Sequence, residues 1–116
     1  MPRRPTKEVE NLRGPRQYLA YPQEFGAGDP VEVKRVPPSQ AYKVHAALLQ
    51  HELARQAIEQ MTRLGLDHTT VANGLNLSDE QLRRLLRGES AMTVERMHQL
   101  AQTLALRIAV TIERTE

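Results

Sequence analysis

The sequence predicts a mostly α-helical chain with one β-strand near its end and an irregular or hairpin arm ahead of its helices. Three observations lead there. Only Tyr18, Tyr21, Phe25 and Tyr42 are aromatic, so the core must be built from Leu, Ile, Val, Met and Ala, which suits packed helices better than a sandwich. The stretch from Gly65 to Gly88, GLDHTTVANGLNLSDEQLRRLLRG, reads as two short helices joined by a tight turn. From Leu104 onward the apolar period falls to two, the period of a strand. With 116 residues and 40% hydrophobic content the chain is long enough for one core and too short for two. The expected divisions are an arm over 1–38, a helical domain over 39–105, and a strand with its tail over 106–116.

In the arm, all seven prolines, Pro2, Pro5, Pro15, Pro22, Pro30, Pro37 and Pro38, deny room to a helix of useful length. Gln17 to Tyr21 and Val31 to Val36 read as short strands joined by the flexible run Phe25 to Asp29. The alternative is a mobile basic tail. Charge favours the arm: residues 1–43 carry eight bases against five acids, and residues 44–116 carry eight arginines against nine acids. With a net charge of +2 there is no uniformly basic surface, so attraction to a polyanion must come from local clusters and from the arm.

Ser39 is the expected cap of a helix reaching about Leu64, with Val44, Leu48, Ala54, Ile58 and Met61 along its buried face and a break tolerated near Glu52 to Arg55. Gly65 ends that helix by taking the left-handed conformation. Asp67 then caps a helix opening with His68, Thr69 and Thr70 and burying Val71, Ala72 and Leu75, which Gly74 weakens by up to ~1 kcal/mol relative to alanine. Asn76 sits where the turn needs a positive φ, and Leu77 anchors the turn. Ser78 and Gln81 form a capping box, the hydroxyl taking an orphan backbone N–H and the amide reaching back. Behind it Leu82, Leu85 and Leu86 share one helical face, and Glu80, Arg83, Arg84 and Arg87 share another. Thr93 caps a further helix with Val94, Met97, Ala101 and Leu104 inward, giving four or five helices. Leu104, Leu106, Ile108, Val110 and Ile112 then alternate with Ala105, Arg107, Ala109, Thr111 and Glu113. A lone strand leaves its backbone unpaired, so it needs the arm or a second chain; an antiparallel pair across a two-fold axis makes a homodimer.

Several chemistries are disfavoured. There is no cysteine, hence no disulfide, thiol nucleophile or thiolate metal site. His45, His51, His68 and His98 include no i,i+4 pair, so no metal site is expected and surface or boundary positions are. Ser39, Ser78 and Ser90 lack a nucleophile elbow, and no glycine-rich phosphate loop occurs, so neither an enzyme nor a cofactor is expected. No apolar run approaches ~20 residues and no signal peptide is evident, which points to the cytoplasm. The charged helical stripe has a plain alternative reading: Asp79–Arg83 and Glu80–Arg84 are i,i+4 pairs, each supporting a solvated helix by ~0.2–0.5 kcal/mol.

Gly65-Leu66-Asp67-His68, Val71-Ala72, Leu75-Asn76-Leu77-Ser78, Leu82, Leu85, Arg87-Gly88, Met97, Leu100-Ala101 and Leu104 resemble, without a gap over about residues 53–106, the pattern of Xre/Cro/lambda-repressor-like helix-turn-helix domains. Leu104 to Ile112 is similar to the dimerising strand of HipB-type antitoxins in that family. The resemblance implies a four- or five-helix helix-turn-helix domain in which Ser78 begins the recognition helix, running to Leu86 in the major groove of double-stranded DNA. Asp79, Glu80, Gln81 and Arg83 would then face bases, while His68, Thr69, Arg84, Arg87 and Ser90 hold phosphates, and Leu106, Ile108, Val110 and Ile112 join two copies. Glutamine can pair bidentately with adenine, arginine with guanine, and a carboxylate can accept from cytosine N4. The function implied is a dimeric repressor reading a palindromic operator. An antitoxin using residues 1–38 to cover a toxin is one alternative, and a protein-binding scaffold, which the acidic Asp79 and Glu80 permit, is another.

Overall fold

The computed structural model describes residues 12–115; residues 1–11, which hold the first part of the basic arm, and Glu116 lie outside the described residues. Those described are mostly helical. Three 3-10 turns, Pro15–Tyr18, Pro22–Glu24 and Pro38–Gln40, precede four α-helices: α1 (Ala41–Leu64), α2 (His68–Gly74), α3 (Asp79–Leu86) and α4 (Val94–Thr103). No β-strand forms among the described residues beyond a single antiparallel bridge between Leu19 and Val33.

Ser39 does not cap α1. Pro38, with its fixed φ, starts a 3-10 turn instead, and Gln40 occupies the cap position without a side-chain bond. Nor does α1 break at Glu52 to Arg55: the Arg55 guanidinium reaches back one turn to the Glu52 carboxylate at 2.7 and 3.1 Å, and Leu53 and Ala54 are buried. The buried face runs through Val44, Ala47, Gln50, His51, Ala54, Ala57 and Met61. Ala57, wholly buried, takes the place expected for Ile58, which is 40% exposed. Gly65 ends the helix with φ 69. In α4, Met97, Leu100 and Ala101 are buried, but Val94, expected inward, is 67% exposed because the first turn extends past the edge of the core.

The arm packs on the helices. Leu19 is wholly buried and Phe25 nearly so, and both belong to the same apolar cluster as Leu53, Val71, Leu82 and Leu100. The two halves of the arm do meet, through Ala20 N–H to Glu32 O and Lys34 N–H to Tyr18 O, both 2.9 Å. Pro15 and Pro22 wind the first half into 3-10 turns, so Gln17 to Tyr21 is not the strand expected.

His51, expected at a surface or boundary position, and its neighbour Gln50 hold the loops. His51 is 4% exposed. Its Nδ1 accepts from Gly26 N–H at 2.8 Å, so Nε2 carries the proton and donates to Gly28 O at 2.9 Å. Its ring lies edge-on to Phe25, centroids 5.5 Å apart. Gln50, 2% exposed, donates from Nε2 to the carbonyls of Leu85 and Ser90, both at 2.9 Å, and accepts from Met92 N–H at 2.8 Å. These three backbone groups are thereby satisfied at a largely buried side chain, where an orphan would cost ~1–3 kcal/mol.

After α4 the chain turns at Ala105, which takes φ 57, and Leu106 N–H returns to Ala101 O at 2.8 Å; no strand or bridge follows among the described residues. Leu106 and Ile108 lie partly buried against the core, whereas Val110 and Ile112 are 68% and 90% exposed. The alternation is therefore visible at 106–109, but no ladder accompanies it among the described residues.

Candidate nucleic-acid interface

The candidate surface is the exposed side of α3 with the start of α2 beside it, and local chemistry sets its geometry. Asp67 accepts from Thr70 N–H at 2.8 Å. That bond holds the Asp67 carboxyl below its ordinary range, because it favours the charged form. Asn76 takes φ 57, and Leu77 N–H returns to Ala72 O at 2.9 Å, closing the turn. Ser78 Oγ accepts from Gln81 N–H at 3.1 Å while Gln81 Oε1 accepts from Ser78 N–H at 2.9 Å, so both halves of the capping box are made. Arg96 of α4 braces the turn from behind, donating to Leu75 O at 2.8 Å.

With Leu82 and Leu86 buried and Leu85 half-buried, α3 turns Glu80, Gln81, Arg83, Arg84 and Arg87 outward. These side chains differ in how free they are. Asp79, half-buried, accepts from the Thr69 hydroxyl at 2.7 Å, tying the first turn of α3 to the first turn of α2. Gln81 spends its amide oxygen on the cap. Glu80 pairs with Arg84 at 3.3 Å, and Arg87 with Glu89 at 3.3 Å. The first of these pairs has both side chains more than half exposed, a class worth ~0–1 kcal/mol, so Arg84 can exchange its partner at little cost. Arg83 has no hydrogen bond or ion pair to any described residue.

The expected contact residues fall on both flanks of α3. His68, Arg83 and Arg87 line a recess toward the arm. Gln81, Arg84 and Ser90 line another toward α4. Ser90 is half-buried and its carbonyl is held by Gln50. The residues expected at a two-fold axis stand apart: Leu106 and Ile108 border an apolar groove with Leu49, Leu53 and Met97 of α1 and α4, and Val110 and Ile112 project beyond it.

Gln50, His51 and Arg96 support this surface yet carry no sequence signature, since their partners are backbone groups of distant loops. Gln60 is similar: half-buried, it donates to Leu104 O at 2.9 Å and satisfies the end of α4. Among the described residues, no three His, Asp or Glu side chains are grouped to hold a metal ion, and no helix is long and apolar enough to cross a membrane. No protein-family model, curated protein or solved structure matches the chain.

Proposed function

We propose that this chain is a dimeric, sequence-specific DNA-binding transcriptional regulator, a repressor acting in the cytoplasm with α3 in the major groove as the recognition helix of a helix-turn-helix unit. The observation that carries the reading is the outer face of α3, where Arg83, Arg84 and Arg87 project from a helix anchored by Leu82 and Leu86 and capped at its start. The resemblance over residues 53–106 supports the same reading.

The roles follow from which groups are free. Arg83 suits guanine O6 and N7. Arg84 and Arg87 suit phosphates, Arg84 by exchanging the exposed Glu80 carboxylate for a phosphate oxygen. Of the residues expected to face bases, Asp79 and the amide oxygen of Gln81 are engaged within the protein, where they orient α3, while the exposed Gln81 amide nitrogen stays open to a base. For the two-fold partner, the alternating apolar side chains Leu106, Ile108, Val110 and Ile112, of which Val110 and Ile112 are 68% and 90% exposed, support antiparallel pairing with a second copy.

The deciding experiment is selection of bound sites from random duplexes. A palindrome with half-sites about 10 base pairs apart is expected. Arg83→Ala should relax the preference at one position of each half-site, while Arg87→Ala should weaken all sequences alike and lower the salt slope by about one. Equal retention of every duplex at moderate salt, by wild type and variants, removes this function.

A further inference from the structure

Between the arm's turn and the flank of α3 lies a recess of about 430 Å³, within the size range of small-molecule sites. It is built from four parts of the chain: the turn at Phe25 to Ala27, α1, the first residue of α2, and α3. His51 makes it by gripping Gly26 and Gly28, which sets the turn so close to α3 that a Cβ on Gly26 would lie 2.8 Å from Leu86 O. The turn does not close over α1, however, and Ile58 is left 40% exposed inside the recess. An apolar side chain held open in a concavity, with Phe25 and Leu86 beneath, is a seat for an apolar body.

The charges around that seat are unequal in availability. Arg55 is committed to Glu52 at 2.7 Å and faces Asp29 at 3.6 Å. Arg87 is paired with Glu89. Arg83 is the lining guanidinium with no partner among the described residues, and its planar fork matches a carboxylate. Glu59, which also lines the recess, disfavours a second negative charge. One anionic group on an apolar body fits; a dianion does not.

We propose that this recess binds a small monocarboxylate with an aromatic or branched aliphatic body, its carboxylate on Arg83 and its body on Ile58. Resting on the function proposed above, the same ligand withdraws Arg83 from DNA, so ligand and operator compete.

The test uses the full chain and two probes, benzoate and isovalerate, followed by two-dimensional amide NMR without DNA. Millimolar titration should move the signals of Gly26, Ala27, Ile58 and Arg83. Arg83→Gln should weaken both probes at least about tenfold, the loss of one charge-assisted hydrogen bond, and Arg63→Gln, outside the recess, should not. Neutral benzamide should bind at least about tenfold more weakly than benzoate on the same reasoning. Absent shifts, equal shifts from benzamide, or indifference to Arg83→Gln overturn the site. A second arm titrates benzoate into the protein on its selected duplex, where affinity should fall as the recess fills; unchanged affinity overturns the competition. If no duplex binds, the proposed function fails while the NMR result still decides the site.

Discussion

The α2–α3 pair and the arm are held in place by different means. Each start of the helical unit is set by a residue three positions away: Asp67 with Thr70, Ser78 with Gln81, and Thr93 with Arg96 in the helix that follows. The arm is positioned from afar, by His51 on Gly26 and Gly28, by Arg16 N–H on Gly88 O at 3.0 Å, and by Phe25 against Gly88. Local caps contribute about 1 kcal/mol each and act independently. The arm's contacts converge on a few atoms and stand or fall together. Damage to the helical unit should therefore be graded, and damage to the arm abrupt.

The sharpest test of that difference is Gly88. It lies at φ 76, and a Cβ there would sit 2.6 Å from the Phe25 ring. Gly88→Ala should lose about 3 kcal/mol in urea unfolding, combining left-handed strain with overpacking, and should free the arm. His51→Ala comes next. It orphans the Gly26 N–H and the Gly28 carbonyl, for a loss of about 2 kcal/mol, and hydrogen exchange should speed up at Gly26 to Gly28 while α2 and α3 stay protected. Ser78→Ala should cost about 1 kcal/mol, with the opposite pattern: earlier fraying of α3 and an arm that exchanges as in wild type.

The smallest effect is an acid one. Asp67 is held below its ordinary 3.8 by the Thr70 N–H, and Glu52 below its ordinary 4.5 by hydrogen bonds from Arg55 and then Gln56. Both carboxylates favour the folded state when charged, so their contribution is complete above those ordinary values and is lost as pH falls through the lower folded ones. The contribution of these two carboxylates should be level from neutral pH to about 5 and decline below about 4. Asp67→Asn, which keeps a capping oxygen without a titrating one, should shallow that decline.

The same division explains what could be read from the residues alone. Asp67, Asn76, Ser78, Gln81 and Thr93 announce themselves because cap and turn chemistry spans three or four residues, and each does what its spacing implies. Ile58 and Val94 fall outside the core although their spacing fits it, because periodicity gives a face but not its centre or edge. Ser39 lost its cap to the neighbouring Pro38. His51 and Gln50 were illegible, because a polar side chain within an apolar stripe says nothing of the loop it will meet. On the candidate surface, the side chains that emerge from α3 were foreseeable from its wheel; which of them are already occupied was not, since Thr69 reaches Asp79 only once the turn is folded.

Gln50 makes the end of α3, the loop to Met92 and the long α1 one mechanical piece. A helix so braced has little freedom to tilt or slide. If α3 enters DNA as proposed, adjustment falls to the nucleic acid: the groove must widen or the axis bend to meet a stiff probe. Part of the sequence preference would then arise at base pairs the protein never touches, through how easily they deform.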